Sequence, residues 1–185
     1  MSCTVLGVGV GLLLTAGLGS DGYSTMVNGI SLALDLDFLV VNLVVGVVLV
    51  GLAWARGLRP GLGTVVQPVV VGAVVTGVLV VLEEPDQWWL RAAMLLISLP
   101  VLAIGVAGYL AQDAGAGPTE AAAIALDPPV PFRWSYGIVQ GGGAAIGWLC
   151  GADVGPGTLL VIALLGPMVA WFSRRVPALR APALA

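Results

Sequence analysis

Of the 185 residues in this chain, 59% are hydrophobic and only 9% charged, with a mean hydropathy of +1.06. Soluble domains hold about half apolar and a quarter charged residues, so this balance excludes a water-soluble globule and makes lipid the solvent. The net charge of −3 comes without any basic run, histidine is absent and there are two cysteines. That excludes nucleic-acid binding, a His-based catalytic pair and a zinc site, and no cofactor or metal is expected.

The first apolar run, residues 5–18, is short for the roughly 20 residues a crossing needs. A secretory signal peptide is the rival reading, but no Arg or Lys precedes Arg56, so a positive n-region is missing. Five clearer spans follow at 38–55, 64–82, 90–111, 134–151 and 158–173. The expected organisation is a first membrane repeat over 1–82, a second over 90–173 and a cytoplasmic tail over 174–185. With both termini inside, Arg56, Arg59, Arg133, Arg174, Arg175 and Arg180 lie on the cytoplasmic side and Arg91 alone outside, as the positive-inside rule favours. Trp54, Trp88, Trp89, Trp134, Trp148 and Trp171 fall near span ends, where indoles meet the headgroups. Cys3 and Cys150 then end on opposite sides, and no disulfide between them is expected.

Two glycine-rich stretches interrupt the apolar pattern. Gly17-Leu18-Gly19-Ser20-Asp21-Gly22 follows the first run, and Gly115-Ala116-Gly117-Pro118-Thr119-Glu120 follows the span at 90–111. Each precedes a segment long enough for only a short helix, at 24–34 and 119–126. Ala33-Leu34-Asp35 and Ala125-Leu126-Asp127 close the two segments. A shift of 94 residues aligns Trp54, Gly57, Gly61, Gly63, Thr64 and Gly72 with Trp148, Gly151, Gly155, Gly157, Thr158 and Gly166. Three spans per unit is an odd number, so the second copy inserts upside down, as in transporters built from inverted repeats. The expected fold is all-α with six transmembrane helices in two inverted three-helix repeats, each broken by glycines after its first span.

A helix interrupted at membrane depth is tolerated where protein or a water-filled cavity satisfies its free backbone groups, and paired breaks point to a binding site. The alternative makes both stretches surface turns with interfacial helices. The candidate solute-binding residues are Gly17, Gly19, Ser20, Asp21, Gly115, Gly117, Pro118, Thr119 and Glu120, with Gln67 and Gln140 from within spans. Glycine permits the unwound backbone, and Pro118 suits a first helical turn because its missing N–H has no helical partner there. Asp21 and Glu120 stand where a carboxylate caps free N–H groups; used that way they oppose an anionic solute. Glu120 is the first choice for a functional carboxylate, a proton carrier if buried, and Arg133 either pairs with it or Asp127 or anchors the fifth span. Gln67, Gln140 and Asn42 need hydrogen-bond partners in a span. Gly143, Gly147 and Gly151, at four-residue spacing, offer a close-packing face, either an internal seam or a homodimer contact.

Gly117-Pro118-Thr119-Glu120 with Gly61-Leu62-Gly63-Thr64 and Gly155-Pro156-Gly157-Thr158 resembles the YczE/YyaS/YitT group of bacterial integral membrane proteins. The likeness runs from the first motif to the last span and implies a multi-pass inner-membrane protein with a transport role. It implies no substrate and no catalytic residue. The expected function is movement of a small solute or ion by alternating access; a channel and an accessory or substrate-capture subunit are the alternatives. An enzyme is not expected. Gly17-Leu18-Gly19-Ser20-Asp21 departs from the Gly-x-Gly-Asp of membrane aspartyl proteases by an inserted serine, and no Gly-x-Ser-x-Gly or His-Glu-x-x-His occurs.

Overall fold

The computed structural model describes residues 1–59, 61–112, 115, 117–126, 129, 130 and 132–179, the side chains of Phe132, Arg133 and Ala178 aside. Asp127 and Arg180 lie outside the described residues. The described chain is all-helical. It comprises α1 (Ser2–Thr15), α2 (Gly22–Leu34), α3 (Phe38–Ala55), α4 (Leu62–Val81), α5 (Trp88–Leu110), α6 (Pro118–Ala125), α7 (Phe132–Leu149) and α8 (Pro156–Arg175), closed by a 3-10 turn at Pro177–Leu179.

Four helices, α3, α4, α5 and α8, are long and apolar enough to cross a membrane. Their Val, Leu and Ile side chains face outward in large numbers, Val47, Val80 and Leu159 among them. Surface of that kind is stable only against lipid. All six tryptophans are exposed within two turns of a helix end. The other two expected spans, 5–18 and 134–151, form helices displaced two or three residues from the sequence reading and are not among these four. α1 has 14 residues and stops at Thr15, because Gly17 turns the chain with φ +59°. α7 reaches the length of a span but carries Ser135, Tyr136, Gln140 and a run of three glycines, so its apolar character is weaker.

Glycine seams set the packing. Gly7 and Gly11 of α1 lie on Val74 and Val78 of α4, so these helices run parallel. Gly9 packs on Leu102 and Gly105 on Leu6, so α5 runs antiparallel to α1. α3 descends against α4, with Leu39 N–H donating to Thr76 Oγ1 (3.0 Å) and Gly46 lying on Pro68. α2 and α7 are parallel and touch backbone to backbone. A Cβ on Gly22, Gly29, Gly143 or Gly147 would overlap the facing helix. Gly143 and Gly147 therefore form an internal seam rather than a dimer face. Gly151 (φ +97°) turns the chain past the end of α7 instead. Apolar helices gain nothing by hiding from lipid, so close backbone contact of this kind is what holds them together.

The bundle has two chemically distinct ends. Ser2, the end of α5, Arg56, Arg59, Arg174 and Arg175 gather at one; Glu84, Asp86, Asp153 and Arg91 gather at the other. Cys3 and Cys150 are free and lie at opposite ends.

The two halves repeat one another in detail. α3 and α7 begin and end 94 residues apart, as do α4 and α8. α3 and α7 also end in the same left-handed cap. Gly57 (φ +95°) and Leu58 donate to the carbonyls of Trp54 and Ala53, at 2.8 and 3.0 Å. Gly151 and Ala152 donate to those of Trp148 and Gly147, at 3.0 and 2.9 Å. Glycine is needed at both because left-handed backbone crowds a Cβ.

Candidate functional site

The first break lies inside the bundle. Leu6 opposite Gly105 and Gly9 opposite Leu102 place the end of α1 about 12 Å in from the start of α5, at 1.5 Å per residue. The three carbonyls that follow it are taken. Arg91 Nε donates to Ala16 O (2.8 Å), the same guanidinium donates to Gly17 O, and Gly157 N–H donates to Leu18 O (2.8 Å). Glu84 holds Arg91 at 2.8 Å. Gly17 therefore meets Arg91 and Glu84, and its carbonyl is not open to a solute. Gly19 (φ +93°) packs on Gly155 and on the Thr158 hydroxyl. Thr158 Oγ1 is buried and has no hydrogen-bond partner among the described residues.

Asp21 caps α2, its carboxylate accepting from Ser24 N–H at 3.1 Å. Ser20 turns inward, its hydroxyl bonded to Thr25 Oγ1 at 2.8 Å. α2 then starts against Gln140, midway along α7. Gln140 Oε1 accepts from Tyr23 N–H (3.2 Å), and its amide donates to Tyr136 OH (3.1 Å). Tyr23 OH donates to Asn42 Oδ1 (2.8 Å), and buried Asn42 donates to Pro68 O (2.6 Å). This polar chain joins α7, α2, α3 and α4 at mid-height.

The second break mirrors the first. Gly115 (φ +122°) packs on Gly61 and the Thr64 hydroxyl, and its carbonyl accepts from Tyr109 OH. Gly117 caps α6 and Pro118 is its first residue. Pro118 lies against Gly46, midway along α3, and Thr119 is buried beside it. A Cβ on Gly117 would stand 2.6 Å from Glu120 Oε2 and 2.7 Å from Gln67 Oε1, so both side chains crowd the break. Gln67 Oε1 is buried and unpartnered among the described residues. Half-buried Glu120 lies within electrostatic range of Asp21, Tyr23, Tyr109 and Tyr136.

The structure thus gathers Asp21, Gln140, Gln67, Gly117, Pro118 and Glu120 around the inner ends of α2 and α6. It sends Gly17, Gly19 and Ser20 toward the acidic end and Gly115 toward the arginine-rich end. Three residues not singled out as site residues line the centre: Tyr23, Tyr136 and Asn42. Tyr23 sits two places after Asp21, and a tyrosine in a glycine break is a signal of a polar wall. Arg91, the one arginine expected outside, also caps α1, through a contact across 75 residues.

Residues 1–174 match the family model DUF6198, a family of unknown function. The chain belongs to this family. It is 28% identical over 174 residues to an uncharacterised protein of Haemophilus influenzae, covering 91% of this chain and 78% of that one. No solved structure matches. The DUF6198 assignment thus carries no activity with it, and function is argued from the two breaks.

Proposed function

We propose that this DUF6198 protein is a small-solute transporter of the bacterial cytoplasmic membrane, built as two inverted three-span repeats and working by alternating access. The observation that carries the reading is crosswise docking. Gly19 rests on Gly155 and Thr158 of the second half, and Gly115 rests on the equivalent Gly61 and Thr64 of the first. α2 starts on Gln140 of α7, while α6 starts on Gly46 of α3, a position 94 residues earlier. Partners exchanged in this way support the reading, because a pseudo-twofold axis relating the halves would produce them. The likeness to the YczE/YyaS/YitT group implies a protein of the same kind.

Both short helices aim their N-termini at the centre, and each helix N-terminus carries partial positive charge. Asp21 and Glu120 already answer that charge, which favours a neutral or cationic solute, or a proton, over a free anion. The unpartnered Gln67 Oε1 and Thr158 Oγ1 supply one polar atom beside each break, and buried polar atoms of this kind call for a partner.

A ligand that binds only the folded state raises apparent stability. The test is a thermal-shift screen of the detergent-purified protein against amino acids, polyols, amines, sodium and potassium, with Glu120→Gln alongside. A dose-dependent rise lost in Glu120→Gln supports the transporter. No rise from any compound, with a second protein co-purifying, moves the assignment to an accessory subunit. Ion flux through reconstituted single molecules faster than any conformational cycle moves it to a channel.

A further inference from the structure

The two breaks each adjoin a cavity, and the cavities are counterparts of unequal size. At the arginine-rich end a cavity of about 210 Å³ is lined by Leu58, Arg59, Thr64, Gly115 and Ala121. At the acidic end a cavity of about 10 Å³ is lined by Gly19, Thr25, Ala152 and Asp153. Leu58 and Arg59 correspond to Ala152 and Asp153 through the 94-residue shift of α3 onto α7. Gly115 and Ala121 correspond to Gly19 and Thr25 through the starts of α6 and α2. Four lining residues of each cavity are thus counterparts. The first cavity has room for a small solute with its waters; the second has hardly room for one water. Burial follows the same asymmetry at two of the four pairs: Leu58 is half-buried and Gly115 exposed, while Ala152 and Gly19 are buried; Ala121 and Thr25 are both buried, and Arg59 and Asp153 both exposed.

We infer that the larger cavity is the solute-access vestibule on the cytoplasmic side, that the smaller one is the same vestibule closed, and that the structure is the inward-facing state of the cycle. This rests on the alternating-access reading above. The side follows from Arg56, Arg59, Arg174 and Arg175 gathering at the open end, since arginines flanking spans are retained in the cytoplasm. Contacts seen at the acidic end hold that side shut. Gly157 N–H grips Leu18 O, and Arg91, held by Glu84, grips Ala16 O and Gly17 O. A solute entering the open vestibule meets Arg59 as the one charged lining residue among those described; on leaving through the other it meets Asp153.

The experiment is cysteine labelling in a background carrying Cys3→Ala and Cys150→Ala. Single cysteines are placed at counterpart positions, Leu58→Cys with Ala152→Cys and Ala121→Cys with Thr25→Cys. A membrane-impermeant methanethiosulfonate is added to right-side-out and to inside-out vesicles. Leu58→Cys is expected to react from the cytoplasmic face at least tenfold faster than Ala152→Cys reacts from either face, and Ala121→Cys, as buried as Thr25→Cys but in the wall of the larger cavity, is expected to react from the cytoplasmic face faster than Thr25→Cys from either. Equal rates with the two sets labelled from opposite faces overturn the inward-facing assignment and leave the inverted repeat standing. Labelling of all four from one face overturns the inverted repeat and the transporter reading with it. Two pairs are used so that a substitution that spoils folding does not decide the result.

Discussion

Single side chains at the breaks do separable jobs, and substitutions tell them apart. Asp21 accepts a hydrogen bond from Ser24 N–H, so Asp21→Ala is expected to cost about 1 kcal/mol and Asp21→Asn, also a good cap, much less. Thermal unfolding in detergent reads the difference. If Asp21→Asn nonetheless removes solute-dependent stabilisation, the charge itself is needed for binding. Arg91 bonds two carbonyls that no helix satisfies. Arg91→Ala leaves both without that partner, at roughly 1–3 kcal/mol for each carbonyl that stays buried. Arg91→Lys should not restore the loss, because an ammonium lacks the planar fork that reaches both oxygens. Thr158 shows the opposite case. Its hydroxyl is buried without a described partner, so Thr158→Val should be neutral or stabilising in the absence of solute, by the same unfolding measurement.

At the scale of elements, the seam between α2 and α7 carries the sharpest prediction. Gly147 faces the Thr25 backbone across it, whereas a Cβ at Gly142 would meet open space. Gly147→Leu is expected to force the helices apart at a cost above the usual 1–3 kcal/mol of overpacking, because backbone cannot yield as a side chain does. Gly142→Leu should leave stability nearly unchanged. The fraction of protein eluting as a single folded species in detergent measures both, and equal behaviour would refute the seam. Much of this level was legible beforehand. Pro118 as a first-turn residue and Asp21 as a cap are local chemistry, decided within four or five residues; Gly151, expected on a packing face, instead turns the chain after α7. The span expected at 5–18 is displaced three residues from α1, because its apolar run continues past Thr15 while the helix already starts at Ser2. Leu18 is as apolar as Leu14, and only the positive φ of Gly17 stops the helix.

For the molecule as a whole, the composition and the spacing of apolar runs determined that the chain is a helical membrane protein. Hydropathy is a sum over residues, and a 94-residue repeat is visible in an alignment of the chain with itself. Which half supports which break was not visible in that way. Gly19 on Thr158, Gly115 on Thr64 and Gln140 beneath Tyr23 are contacts between positions far apart in the chain, and the similar glycine motifs of the two halves permit either pairing. The gathering of Asp21 and Glu120 with Tyr23 and Tyr136, and the inequality of the two cavities, follow from that pairing. The sequence by itself determined the solvent, the helices and the doubling, because those are local or additive properties. Only the tertiary structure decided which half braces which break and how much room is left beside each, because both depend on which distant backbones come close enough to touch.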